Sequence, residues 1–147
     1  MADVSLTTSS PAEALIRDET GPQRLIGYVL DVGQADKRAR CWLDLDARHL
    51  NRHGVLHGGI AATLLDSVCG ATASLTVDDT GRVPFLTISL TTQFLAPTSS
   101  GRVTAMGQVT GGGRSLLYID GSLRDEQKRL LATATGVFKR VPAERRT

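Results

Sequence analysis

The residues with the clearest chemical potential lie between positions 51 and 75, where a loop runs into a long apolar segment. His57, Gly58 and Gly59 stand directly before that segment, and Asp66 lies inside it. The first N–H groups of a helix have no partner within the helix, so they can hold a negative charge that develops on oxygen. A carboxylate can act as a nucleophile or a general base. The stretch therefore predicts an oxyanion hole at His57-Gly58-Gly59 and a reactive acid at Asp66.

The apolar segment has the spacing of one buried helix. Its apolar stripe recurs at intervals of three and four residues, which is typical of a helix packed against a core. The spacing predicts a mostly buried helix over residues 58–75, with a stripe formed by Ile60, Leu64, Val68, Ala71 and Leu75.

Asp66 is an unusual residue for the middle of that helix. Aspartate is about 0.6 kcal/mol less favourable than alanine there, and no Lys or Arg occurs between Arg52 and Arg82. Its neighbours on the same helix face are all small, so a ligand can approach the carboxylate closely: Gly59, Ala62, Thr63, Cys69, Gly70 and Ala73. Two simpler interpretations stay open at this point. Asp66 is a solvated surface acid, or the glycine pair only marks the start of the helix.

The glycine end of the helix and the acid are too far apart to act together within one chain. Nine positions separate His57 from Asp66, which is about 13 Å along a helix axis at ~1.5 Å per residue. A reacting atom must lie about 3 Å from both groups. Either another segment works with the acid, or a two-fold dimer brings the glycine end of one helix to Asp66 of the other and forms two equal sites.

Composition places the chain among ordinary single-domain globular proteins. It has 147 residues, 41% of them hydrophobic, and a net charge of +2, which allows a real core and does not point to nucleic acid. The aromatic content of 4% also argues against a base-stacking surface. No signal peptide and no span of 18 apolar residues is evident, so we expect a cytoplasmic protein without membrane spans. Cys41 and Cys69 are expected to be buried free thiols.

Turn signals and alternation predict the other elements. We expect a short helix over residues 11–18, ended by Gly21-Pro22, and a hairpin of strands over residues 25–32 and 39–45. Strands over residues 86–94, 102–110, 115–124 and 129–139 predict a four-stranded meander after the long helix. The first of these has an apolar face of Leu86, Ile88, Leu90 and Phe94 and an opposite polar face. The order predicts an α+β fold, with an antiparallel sheet of about six strands curled around one long helix.

Rival constellations are weaker. His49, His53 and His57 have a spacing that would align metal ligands on a helix, but glycines interrupt the segment and we expect no metal site. The chain has no G-x-S-x-G motif of a serine hydrolase. The glycine run at residues 111–113 lacks the P-loop lysine and lies between two predicted strands, which favours a hairpin turn.

Taken together, these features resemble a known family. The run Asn51…His57-Gly58-Gly59…Asp66, followed by a strand that ends in Phe94-Leu95-Ala96-Pro97, is similar to the hotdog-fold acyl-CoA thioesterases of the PaaI-like (phenylacetic acid degradation protein-like) group. The resemblance implies a hotdog domain over residues 25–140, preceded by an N-terminal segment with a short helix (1–24) and followed by a basic tail (141–147). It also implies a homodimer with interface sites, usually paired into a tetramer.

The resemblance implies a role for each motif residue. Asp66 would be the nucleophile or general base, and the N–H of Gly58 would hold the thioester carbonyl oxygen. His57 and Asn51 would shape that site, and the strand hydroxyl common in the family falls on Thr87. An acyl-CoA substrate would also contact Gly59 and, through its phosphates, the basic residues Arg114, Lys139 and Arg140. No metal and no cofactor besides the CoA of the substrate is implied, and surface solvation is the simpler interpretation of the three basic residues.

Two other functions stay open at the level of sequence. A non-catalytic acyl-CoA-binding hotdog protein, a sensor or carrier, would bind without turnover. A dehydratase that acts on hydroxyacyl thioesters would more often use a histidine together with the helix acid. The intact acid and the His-Gly-Gly motif favour the thioesterase.

Overall fold

The computed structural model describes residues 9–145, which form an antiparallel sheet wrapped around one long helix. The elements are β1 (Leu15–Ile16), α1 (Gly21–Ile26), β2 (Val29–Asp31), β3 (Arg40–Asp44), α2 (Gly58–Ser74), β4 (Phe85–Phe94), β5 (Arg102–Gly112), β6 (Leu116–Arg124) and β7 (Leu130–Arg140). The ends of the predicted N-terminal segment and basic tail, residues 1–8 and 146–147, lie outside the described residues. Between residues 9 and 145, no helix is long and apolar enough to cross a membrane.

The strand order confirms the predicted fold class and corrects the predicted topology. The order β1-β2-β3-β5-β6-β7-β4 makes seven strands in the described chain, rather than about six, because the two-residue β1 joins β2. The four-stranded meander is wrong: only β5, β6 and β7 pair in succession. Strand β4 crosses to the far side of the sheet and pairs with β7. It is therefore an edge strand.

The N-terminal region also differs from the prediction. In place of a helix over residues 11–18, a 3-10 turn at Ala12–Ala14 leads into β1, and Gly21-Pro22 begins α1 rather than ending a helix. The Thr20 side chain caps α1 by accepting a hydrogen bond from the N–H of Gln23, and proline suits the first turn of a helix. Because α1 takes residues 21–26, the strand predicted over residues 25–32 is shortened to β2.

Helix α2 lies in the hollow of the sheet and supplies much of the core. Leu64, Leu65 and Val68 on this helix are fully buried. A glycine on β5 permits the closest contact, since a Cβ at Gly107 would lie 2.3 Å from Thr72 Oγ1 and 3.0 Å from the backbone oxygen of Val68. This contact fixes the orientation of α2 about its own axis, and in that orientation Asp66 faces β4.

Replacement of Gly107 tests the close packing of α2. Gly107→Ala should lower the free energy of unfolding by about 1–3 kcal/mol, because the added methyl meets the helix backbone as well as the Thr72 hydroxyl. The matched control is Gly113→Ala, in the β5–β6 turn, where an added Cβ meets nothing within 4 Å and the change should stay within about 0.5 kcal/mol. Urea denaturation of both variants is the measurement. Equal losses in the two would show that the helix contact is not the cause.

Candidate active site

The edge strand β4 contains a bulge at Ile88. On β7, Phe138 pairs with Thr87 and Val137 pairs with Ser89, so Ile88 has no residue opposite it in the ladder. One extra residue in a strand reverses which side chains face each side of the sheet from that point onward. Odd-numbered residues of β4 therefore face α2 before the bulge, and even-numbered residues face it after the bulge.

The bulge overturns the predicted alternation of this strand. Thr87, predicted on the polar face, points to α2 before the bulge, whereas Leu90 packs against the core after it. Phe94 also faces α2, since its ring would lie 3.5 Å from a Cβ at Gly58. Ile88, predicted to share a face with Leu90, is instead 58% exposed. A strand without the bulge could not aim both Thr87 and Phe94 at the helix.

The structure brings Asp66 and Thr87 into direct contact. The Thr87 Oγ1 hydroxyl donates a hydrogen bond to Asp66 Oδ1 over 2.6 Å. Asp66 is partly exposed, and among the described residues it forms no ion pair. A carboxylate held through one oxygen, with the other open to a ligand, can attack an electrophile or take a proton from water.

The thiol beside this pair is inert. Cys69 lies one turn along α2 from Asp66, and burial, with a smaller contribution from the carboxylates of Asp66 and Asp120, raises the pKa of the Cys69 thiol to about 12. Burial also raises the pKa of the Cys41 thiol. Both cysteines are free and buried, as predicted, and both stay protonated at neutral pH. The nucleophile at this site is therefore not a cysteine.

His57 caps the N-terminus of α2. Its Nδ1 accepts a hydrogen bond of 2.8 Å from the backbone N–H of Gly59, so in the neutral ring the proton is on Nε2. A Cβ at Gly59 would lie 2.9 Å from His57 Cε1, which shows that this glycine makes room for the ring. Because the cap uses the N–H of Gly59, the N–H of Gly58 is the donor of the pair that an oxyanion can reach. The substrate contact at Gly59 stays a prediction, because its N–H and the space of its missing side chain are both taken by the His57 ring.

Asn51 organises the loop before α2. Its Oδ1 accepts hydrogen bonds from the backbone N–H groups of His53 at 2.9 Å and Val55 at 3.3 Å, and its own backbone N–H donates to the carbonyl of Val55 at 2.8 Å. The side-chain carbonyl is thus committed to the turn. The amide NH2 is the part of Asn51 that can reach a ligand.

His49 is an anchor of this loop that the sequence reasoning did not identify. It is buried, its Nδ1 accepts from the Asp46 N–H at 3.0 Å, and its Nε2 lies 2.8 Å from the carbonyl of Ile26. Its carbonyl accepts from the His57 N–H and so holds the cap in place. Both ring nitrogens are engaged, which removes His49 from the alternative histidine metal site. The available signal was the capping box, with Asp46 three residues before His49.

The three basic residues lie at one end of the sheet. Arg140 donates its backbone N–H to the carbonyl of Ser115, which directly follows Arg114 in the β5–β6 turn. Arg140 is also paired with Phe85 at the start of β4, and Lys139 precedes it on β7. We call these three residues, whose backbones lie at the end of the sheet where β4 begins, the basic rim. Lys139 and Arg140 are adjacent on β7, so their side chains project to opposite faces of the sheet.

The structure separates the candidate residues into two half-sites. Asp66 and Thr87 form one, and Gly58, with the His57 cap and the Asn51 loop before it, forms the other. Asp66 follows Gly58 by eight positions on α2, a distance of about 12 Å along the axis. Neither half-site alone provides both a reactive carboxylate and an oxyanion donor.

Comparison with known proteins places this constellation in a family. A family model described as the thioesterase superfamily matches residues 53–132. The chain is 26% identical to acyl-coenzyme A thioesterase 13 of Mus musculus over 99 residues, which are 67% of this chain and 69% of the mouse protein. The fold is similar to that of the Escherichia coli PaaI protein, with 20% identity, a TM-score of 0.72, and coverage of 84% of this chain and 86% of that one.

A second solved structure has a similar fold. A mutant of the thioesterase PA1618 from Pseudomonas aeruginosa is 25% identical, with a TM-score of 0.72 and coverage of 81% of this chain and 84% of the other. The matched family segment spans more than half of the sequence and contains His57, Gly58, Asp66 and Thr87. The chain therefore belongs to the thioesterase superfamily, and its general chemistry is the hydrolysis of thioesters.

Proposed function

We propose that this protein is an acyl-CoA thioesterase that hydrolyses an acyl- or aryl-CoA thioester to the free acid and CoA, with Asp66 as the catalytic carboxylate. The observation that carries the proposal is the 2.6 Å hydrogen bond from Thr87 to Asp66, which orients an acid on a helix whose start offers an oxyanion donor. The name of the mouse relative, an acyl-coenzyme A thioesterase, supports CoA as the thiol of the substrate.

Asp66 acts directly on the thioester or through water. In the first route the carboxylate attacks the carbonyl carbon, the C–S bond breaks, and water then hydrolyses the mixed anhydride. In the second route Asp66 takes a proton from a water molecule that attacks the same carbon. In both routes CoA leaves as a thiolate, which needs no general acid, and a thiol, a carboxylate and a proton result. Thr87 positions the carboxylate through Oδ1.

The glycine half-site stabilises the negative charge on the carbonyl oxygen. The N–H of Gly58 is at the first position of α2, where the helix dipole adds to its effect. His57 presents Nε2–H because Nδ1 is bound to the helix cap. The Asn51 amide NH2 is a third donor for the carbonyl oxygen or for a water molecule. These groups replace any requirement for a metal in this proposal.

A dimer through the free edge of β4 would unite the two half-sites. Along β4, Thr87 stands beside Asp66 and Phe94 stands beside Gly58. Antiparallel pairing of β4 with a second copy, centred near Leu90, places Thr87 opposite Phe94 of the partner subunit. The Asp66 of each chain then approaches the glycine half-site of the other, and two equal sites form.

The surface of the β4 edge supports this assembly. The strand has ten residues, and its one partner among the described strands is β7. Leu86 and Ile88 on it are 62% and 58% exposed. Long edges with exposed apolar side chains invite pairing with another chain. We therefore propose a homodimer, further paired as a dimer of dimers, with the basic rim of Arg114, Lys139 and Arg140 at a subunit edge where CoA phosphates can bind.

Replacement of the acid tests the catalytic assignment. Asp66→Asn should lower kcat by about 10²-fold or more, since a base or nucleophile contributes at least that much. The readout is free-thiol release from acyl-CoA substrates, with circular dichroism as the check on folding. Undiminished turnover in a folded Asp66→Asn protein would reject Asp66 as the catalyst. Saturable acyl-CoA binding by a wild type without turnover would instead favour the sensor or carrier.

The Thr87 hydroxyl is tested by a matched pair of variants. Thr87→Val keeps the shape but removes the hydrogen bond to Asp66, and it should lower kcat about 10-fold or more. Thr87→Ser keeps the hydroxyl and should stay within about 3-fold of wild type. Equal losses in both variants would mean that side-chain shape, not the hydrogen bond, is what the site requires.

Mixing of two inactive variants tests the shared site. Gly58→Pro removes the N–H, and proline is well suited to this first helical position because His57 already has the extended backbone, with φ −65° and ψ 132°, that precedes proline. Refolded together, Asp66→Asn and Gly58→Pro chains should recover about a quarter of wild-type activity, since half of the dimers are mixed and each has one intact site. No recovery from mixed dimers verified by mass would contradict the shared site.

The two functions of His57 are separable. His57→Ala should lower the free energy of unfolding by about 0.5–2 kcal/mol because the helix loses its cap, whereas His57→Asn should retain stability, since asparagine is a good N-cap residue. Both variants lack the Nε2–H donor, so both should have reduced kcat. Full activity in the stable His57→Asn protein would limit His57 to the capping function.

A further inference from the structure

Next to Asp66 on α2, the missing side chain of Gly70 leaves a space that an acyl group could occupy. We propose that Gly70 sets the upper size limit of the acyl group by leaving an apolar compartment between α2 and the start of β4. The compartment would accept an apolar acyl tail longer than acetyl. The inference rests on the proposed thioesterase function and adds the substrate class to it.

Two hydrogen bonds mark the ends of this compartment. At one end the Thr87 hydroxyl donates to Asp66 Oδ1 at 2.6 Å. At the other end the Val83 N–H donates to Ser74 Oγ at 2.7 Å. Asp66 and Ser74 are two helical turns apart, about 12 Å along the axis. The second bond joins α2 to the segment just before β4 and so closes the compartment at the far end.

Gly70 lies midway between the two hydrogen bonds. It is one turn from Asp66 and one turn from Ser74 on the same helix face. A Cβ at Gly70 would meet nothing within 4 Å, although the residue is partly buried. Gly107 differs, since its lack of a side chain is required for the approach of α2. At Gly70 the missing side chain instead leaves room beside the acid.

The strand side of the compartment is apolar. Phe85 lies two residues before Thr87 on β4, so alternation turns both side chains to the same side, and Phe85 packs partly buried against the core. On α2, Ala73 follows Gly70 by three residues and is fully buried. At each end the polar groups are paired within the protein, Thr87 with Asp66 and Val83 with Ser74. Between these two pairs, the surface is apolar.

These properties suit an acyl tail better than the pantetheine arm of CoA. The arm carries two amides, and burial of an amide without a hydrogen-bond partner is unfavourable. The arm must also continue to the phosphates, whereas the compartment ends at the hydrogen bond between Val83 and Ser74. A hydrocarbon tail needs no polar partner and stops within the site. The carbonyl carbon would lie at Asp66 and the tail would pass Gly70.

The test is a chain-length profile of kcat/KM for Gly70→Leu and Gly70→Ala. Straight-chain CoA thioesters from acetyl to lauroyl, with benzoyl- and phenylacetyl-CoA, form the panel. In Gly70→Leu, kcat/KM for the longest good wild-type substrate should fall about 10-fold or more while acetyl- and propionyl-CoA stay within about 3-fold. Gly70→Ala should shift the profile less, in the same direction. The control is Gly21→Leu, at an open position on α1, which should keep the wild-type profile.

Each outcome separates this inference from the function on which it rests. A folded Gly70→Leu protein with an unchanged profile overturns the role of Gly70 and leaves the thioesterase intact. A uniform rise of KM across the panel also overturns it, because that result assigns the space to the CoA arm. If Gly70→Leu does not fold, an unchanged ratio of longest to shortest substrate in Gly70→Ala is decisive against it. A wild type that hydrolyses no thioester ends both proposals.

Discussion

One hydrogen bond, from Thr87 on the edge strand to Asp66 on the central helix, is the contact on which the rest of the account depends. Two separate features of the fold bring these two side chains together. Glycine on β5 lets α2 settle close to the sheet, which fixes the side of the helix that carries the acid. The bulge at Ile88 then turns Thr87 toward that side and still returns Phe94 to the glycine end of the helix.

The same geometry is the reason for proposing that two chains share one catalytic site. A helix separates its N-terminal donors from a residue two turns later by about 12 Å, so Gly58 and Asp66 cannot serve one carbonyl group. The edge strand repeats this separation, with its threonine at the acid and its phenylalanine at the glycine. In the proposed two-fold dimer, pairing of the two β4 edges would bring the acid of one chain to the glycine end of the other, so each chain would complete the site of its partner.

The sequence was sufficient for features that depend on local pattern. The apolar periodicity predicted α2, which the structure confirms, and the His-Gly-Gly motif with Asp66 predicted the residues of both candidate half-sites. The family resemblance assigned the strand hydroxyl to Thr87, which the structure places in hydrogen-bond contact with Asp66. Features that depend on distant contacts were missed. Alternation alone cannot show a bulge, and the pairing of β4 with β7 instead of β5 is a non-local choice. At the N-terminus, the helix predicted over residues 11–18 is absent, and the helix that forms is α1, capped by Thr20.

The most direct test of the shared site is a crystal structure of the protein with a non-hydrolysable acyl-CoA analogue. We expect the carbonyl oxygen to lie within hydrogen-bond distance, about 3 Å, of the Gly58 N–H of one chain, and the carbonyl carbon to face Asp66 of the other. The acyl tail should pass Gly70 of the chain that supplies the acid. An analogue bound with its carbonyl far from Asp66, or held by one chain alone, would contradict the account.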